Sequence, residues 1–146
     1  MGWGLKMALW AVTALVAPAV AAQPVTGDDL YRGRAPLSAK LRGHIDDLPP
    51  AAVACANCHE PGPQVSSASA AFAPRLDAAL RTVLPRRGGP PTAYDEAAFC
   101  RVVSTGMDPA HILVRQAMPH FTLDDAQCAL LWNFVSQRPP AEQVVR

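Results

Sequence analysis

Aromatic residues are scarce in this 146-residue chain: four Phe, three Trp and two Tyr. Half of the residues are hydrophobic, but alanine supplies much of that half. The core is therefore modest for the length and leaves room for a bound apolar group. A surplus of one charge is also missing, with 13 Lys+Arg against 12 Asp+Glu. Only Lys6 and Lys40 are lysines, and neither builds a basic tract. These deficits exclude a histone-like binder and give no electrostatic reason for a nucleic-acid partner or an anionic membrane. No run of alternating polar and apolar residues marks a strand, and no internal repeat occurs. Proline, by contrast, is plentiful at fifteen residues, which points to helices separated by long, stiffened loops. A mass of 15.5 kDa fits one domain and is too small for a large enzyme.

Residues 1–22 have the form of a secretory signal peptide. Met1 to Lys6 is short and positively charged, Met7 to Val20 is apolar, and Ala19, Val20, Ala21 and Ala22 place small residues at the cleavage positions. A spanning helix needs roughly 20 apolar residues, and Pro18 interrupts this shorter run. The expectation is an exported, periplasmic protein whose mature domain is residues 23–146, with no membrane span in it. A retained N-terminal anchor is the alternative. All four cysteines (55, 58, 100 and 128) fall in the mature part, in a compartment where disulfides persist.

The remaining pattern reads as all-α. Thr26 to Asp29 looks like a capped, acidic helix start, with Leu30, Tyr31 and Leu37 on its buried side and Pro36 limiting its length. Pro49 and Pro50 lead into a run, Ala51 to His59, that suits a helix. Residues 60–93, rich in Pro, form a long loop with one short helix at about Arg75 to Val83. Loops of this length are usually functional or disordered. A helix follows over Tyr94 to Ser104, ended by Gly106. The last helix is capped within Thr122 to Asp125 and runs to about Gln137, before Pro139 and Pro140. Leu123, Ala126 or Gln127, Leu130, Leu131 and Phe134 give it an amphipathic spacing.

Cys55, Cys58 and His59 make a Cys-x-x-Cys-His motif. On a helix, positions i, i+3 and i+4 share one face. Two such thiols can add to two vinyl groups on one edge of a haem while the adjacent imidazole ligates iron, and the motif is a signature of c-type haem attachment. Three other readings exist. A thioredoxin-like dithiol wants a βαβ setting that this chain lacks. A zinc site would have to recruit Cys100 and Cys128, which are poorly spaced for it. An ordinary disulfide is the third.

Through that motif the mature chain resembles a monohaem class I cytochrome c over most of residues 26–137. Gly27 to Tyr31 resembles the family's first helix, where a Gly and an aromatic meet the last helix. Ala117 to Phe121, with Met118 and Pro119, resembles its Met-Pro-x-Phe/Tyr segment. Leu131 to Val135 resembles its closing helix. The long 60–93 segment and the two extra cysteines depart from the pattern. The resemblance implies a fold of short helices and long loops around one haem c, bound through Cys55 and Cys58, with His59 and Met118 as axial ligands. It also implies that a proline carbonyl accepts the outer N–H of the His59 ring, and Ala73 to Leu76 resembles the segment that supplies it. Pro74 is the candidate, with Pro63 as the alternative.

Met118 also has a physical case of its own. A thioether is a soft, neutral ligand, Met/His ligation raises the haem potential, and Pro119 would stiffen the loop. Met118 as a plain core residue, or Met107, His111 or His120 as the sixth ligand, are the competing readings. Arg75, Arg86, Arg87 and Tyr94 are candidates to hydrogen-bond haem propionates. Cys100 and Cys128 lie on two helices expected to pack together. An oxidised pair would stabilise by about 3–4 kcal/mol, and two buried thiols are the alternative.

The expected function is one-electron transfer between redox partner proteins, without enzymatic activity. No acid–base or nucleophile constellation appears elsewhere. Near-zero mature charge suggests docking that relies little on steering. The first alternative is a dedicated cytochrome subunit of a periplasmic dehydrogenase or oxidase, with an apolar patch in residues 60–93. The second is a haem-based ligand binder.

Overall fold

A computed structural model describes Met1, residues 23–60 and residues 73–140. The expected signal peptide, the alternative Pro63 and the 66–71 Ser/Ala tract therefore lie outside the described residues. Four α-helices are found among those described: α1 (Gly27–Tyr31), α2 (Ala56–His59), α3 (Glu96–Thr105) and α4 (Asp125–Gln137). No described helix is long and apolar enough to cross a membrane.

The capping signals place three of these helices. The Thr26 side chain accepts from the Asp29 N–H at 3.2 Å, while the Asp29 carboxylate accepts from the Thr26 N–H at 3.0 Å. This reciprocal pair satisfies two otherwise orphaned donors. Asp95 accepts from the Ala98 N–H at 2.7 Å to start α3, and Gly106, at φ 73°, ends it in the left-handed conformation. Asp124 and Gln127 repeat the reciprocal pair at the start of α4. The helix expected over Ala51 to His59 is instead two pieces, a 3-10 turn at Pro50–Ala52 and the single turn α2. Likewise, a 3-10 turn at Ala78–Arg81 stands for the short helix expected near Arg75 to Val83.

The all-α class I cytochrome c fold expected from the sequence is corrected by two small antiparallel sheets. Strands β1 (Ser38–Lys40) and β4 (His120–Thr122) pair Ala39 with Phe121. Strands β2 (Leu84–Pro85) and β3 (Pro91–Thr92) pair Leu84 with Thr92. The physical reason is length. Two or three residues cannot show a period of two, and these strands exist through tertiary pairing rather than local preference. Pro85 and Pro91, opposite each other, supply no N–H and keep the second ladder minimal.

α1, α3 and α4 enclose the core, in which Leu30, Tyr31 and Val135 have no exposed surface and Leu131 almost none. α1 crosses α4 at Gly27, where an added Cβ would lie 2.6 Å from the Phe134 Cβ and closer still to the Leu130 carbonyl oxygen. The buried residues of α4 are Cys128, Leu131, Trp132, Val135 and Ser136. Leu130, expected inside, is exposed. The helix is rotated so that Cys128 meets Cys100 on α3 in a disulfide, with a Cα–Cα distance of 5.9 Å.

Candidate haem site

α2 places three side chains on one turn. The Cys55 carbonyl accepts from the N–H groups of Cys58 and His59, at 3.2 and 2.9 Å, so the spacing i, i+3, i+4 is helical as drawn from the motif. Cys55 is partly buried, Cys58 exposed and His59 buried, and both cysteines are free thiols. All three line a cavity of about 780 Å³. Its walls are mainly apolar, with Phe99, Val102, Val103, Val114 and Leu131 among them.

Met118 lines the same cavity and packs against the core. Met107, His111 and His120 do not line it. The chain therefore brings one thioether and one imidazole to a shared apolar space. His59 Nδ1 donates to the Pro74 carbonyl oxygen at 2.6 Å, which leaves Nε2 without a hydrogen-bond partner among the described residues. Burial moves the His59 pKa down, partly offset by the Pro74 bond. The ring is neutral at pH 7, the form in which imidazole acts as a ligand. A hydrogen bond on the far nitrogen fixes both tautomer and ring orientation.

Burial pushes the Cys55 thiol up to about 11. That is the opposite of the depressed thiol a redox-active dithiol requires. Cys100 and Cys128 are bonded to each other and are not available as zinc ligands beside Cys55 and Cys58. Among the described residues no three His, Cys, Asp or Glu side chains are grouped to hold a metal ion. These donors fit a haem better than a bare ion or a disulfide cycle.

The four residues considered for propionates differ in what else they contact. Arg86 is committed to backbone carbonyls of Ala79, Leu80, Thr82 and Thr92, and its guanidinium lies 5.4 Å from the centre of the Tyr94 ring. Arg86 and Tyr94 thus tie the 78–94 segment together. Arg75 lies 3.7 Å from Asp77. Arg87, at φ 49° in the left-handed region, donates through Nη1 to Asp108 at 2.9 Å. Like Arg86 and Tyr94, Arg75 and Arg87 line the cavity.

Two supporting residues carry no signal in the sequence pattern. Asp108 is fully buried and accepts from Arg87, Ala110 N–H and Ile112 N–H. Glu60, directly after His59, accepts from Arg32 at 2.7 Å and Arg138 at 2.8 Å, joining α1, α2 and the end of α4. A single acid between loop residues carries no local signal. Only Glu60's place next to the motif could have drawn notice.

Comparison with protein-family models, curated proteins and solved structures finds no match in any of the three.

Proposed function

We propose that this chain is an exported monohaem c-type cytochrome that passes single electrons between partner proteins and is not itself an enzyme. One observation carries the reading. Two thiols and an imidazole on one helical turn share a single apolar cavity with a thioether supplied by a distant loop. Cys55 and Cys58 would hold the haem covalently, and His59 and Met118 would supply the nitrogen and sulfur that ligate its iron. When bound, the group supplies reversible one-electron exchange, at a potential raised by Met/His ligation.

The chain's residues provide the rest. The Pro74 carbonyl holds the His59 ring in one tautomer. Phe99, Val102, Val103 and Leu131 give the cavity an apolar wall. Arg87, anchored by Asp108, brings positive charge to the lining for a propionate. The signal-like start and the Cys100–Cys128 disulfide support a periplasmic location.

Replacing Met118 with Ala tests the reading. The ferric variant is expected to lose the weak far-red sulfur–iron absorption, and the ferrous variant to bind carbon monoxide rapidly. An unchanged far-red band overturns the ligand assignment. Rapid, complete carbon monoxide binding by the parent protein would favour the ligand-binder reading instead.

A second reading, a dedicated subunit of a periplasmic dehydrogenase, is favoured by one feature. Val83 and Leu84 are adjacent and 63% and 44% exposed, within the segment where such a patch was expected. Co-elution with a dehydrogenase on gel filtration at micromolar concentration separates a subunit from a free carrier.

A further inference from the structure

We propose that Arg42 is a positioning residue for Met118, and that segment 38–42 is a splint setting how readily an outside ligand displaces the sulfur. The inference rests on the reading of Met118 as an iron ligand. Two sets of contacts fasten the Met118 loop to this segment, one on each side. After Met118, β4 pairs with β1, Lys40 opposite His120 and Ala39 opposite Phe121. Before it, Arg42 Nη2 donates to the Val114 carbonyl at 3.3 Å, and Gln116 Nε2 donates to the Arg42 carbonyl at 3.1 Å. Between these anchors the Met118 N–H donates to the Arg115 carbonyl at 3.0 Å, closing a turn.

Arg42 is half-buried, and its Nη1 is buried without a hydrogen-bond partner among the described residues. Burying that nitrogen is unfavourable, a cost that the neighbouring contacts of the side chain must offset. Its one hydrogen bond among the described residues goes to Val114. Arg42 does not line the cavity, whereas Val114 and Met118 do. It therefore acts on the sulfur through Val114. A short loop tethered at both ends has little freedom to swing, and Pro119 removes more. For the sulfur to leave, a tether must yield first.

The test is stopped-flow binding of imidazole to the ferric holoprotein, read as the limiting rate at saturating imidazole, which reports sulfur dissociation. Arg42→Ala is expected to raise that rate about tenfold, and Gln116→Ala, which loses a single exposed bond, about threefold. Arg42→Lys keeps a donor near Val114 and is expected to remain within about twofold of the parent. Denaturant midpoints are measured alongside, because a merely structural role would lower the midpoint and leave the limiting rate alone. Gln116→Ala carries the test if Arg42→Ala does not fold. If both variants stay within about twofold of the parent while Met118→Ala loses its far-red band, the splint is wrong and the ligand reading stands. Arg42→Lys dissociating as fast as Arg42→Ala also overturns the splint. A Met118→Ala protein that keeps the band removes both.

Discussion

The Arg87 guanidinium is tied to Asp108, an acid with no exposed side-chain surface, by a hydrogen bond of 2.9 Å. The acid also caps its own loop through the N–H groups of Ala110 and Ile112. One buried carboxylate thus fixes both the 107–113 loop and an arginine of the cavity wall. Asp108→Ala leaves two amides and a guanidinium unpartnered and is expected to destabilise the protein by about 2–4 kcal/mol, reduced by the partial exposure of Arg87. Chemical denaturation of the holoprotein measures it. A loss below about 0.5 kcal/mol would show that water replaces the carboxylate freely.

Gly27→Ala tests the crossing of α1 and α4. The added methyl would stand 2.6 Å from the Phe134 Cβ, and the ring behind it is already packed on Tyr31 at 5.3 Å between centroids. Overpacking of this kind costs about 1–3 kcal/mol. Thermal unfolding should show a clear fall in Tm. An unchanged Tm would mean that the helices separate without loss.

Replacing both Cys100 and Cys128 by Ser is expected to lower stability by about 2–4 kcal/mol. The visible spectrum should be unaffected, because the bridge joins α3 to α4 and neither of its cysteines lines the cavity. A changed haem spectrum would place the bridge in the site rather than in the scaffold.

Asp29 offers a pH test. Its carboxyl is held down to about 2 from an ordinary 3.8, first by the Thr26 hydroxyl and then by Arg34. A depressed folded-state value means that its contribution is full above the ordinary carboxylate range and is lost as pH falls through about 2. NMR titration should put the Asp29 midpoint near 2, and Thr26→Ala should move it upward. A midpoint near 4 in the parent protein would deny the reciprocal cap at α1.

Much of this arrangement was legible because it is local. Thr26 and Asp29 share a cap within four residues, Gly106 supplies a left-handed stop, and Cys55 to His59 is a single turn. The strands were not legible. Ala39 is the one buried position in β1, and its partner Phe121 lies far along the chain, so no alternation exists to read. Leu130 is exposed although the 3.6-residue spacing puts it inside, because its helix meets two surfaces at once. Residues 128, 131, 132 and 135 turn inward, while the Leu130 carbonyl and Phe134 face Gly27. Tertiary contacts, not the 3.6-residue period, set that rotation. The pairing of Arg87 with Asp108 joins two loops of irregular backbone, where no periodicity exists.

The most direct test of the account is the mass of the chain, produced in a host that matures c-type haem, then denatured and extracted with acid–acetone. The extracted protein is expected to remain coloured and to carry the mass of one haem, and replacing Cys55 and Cys58 together by Ser is expected to abolish both. A colourless extract with the mass of the bare polypeptide would contradict it.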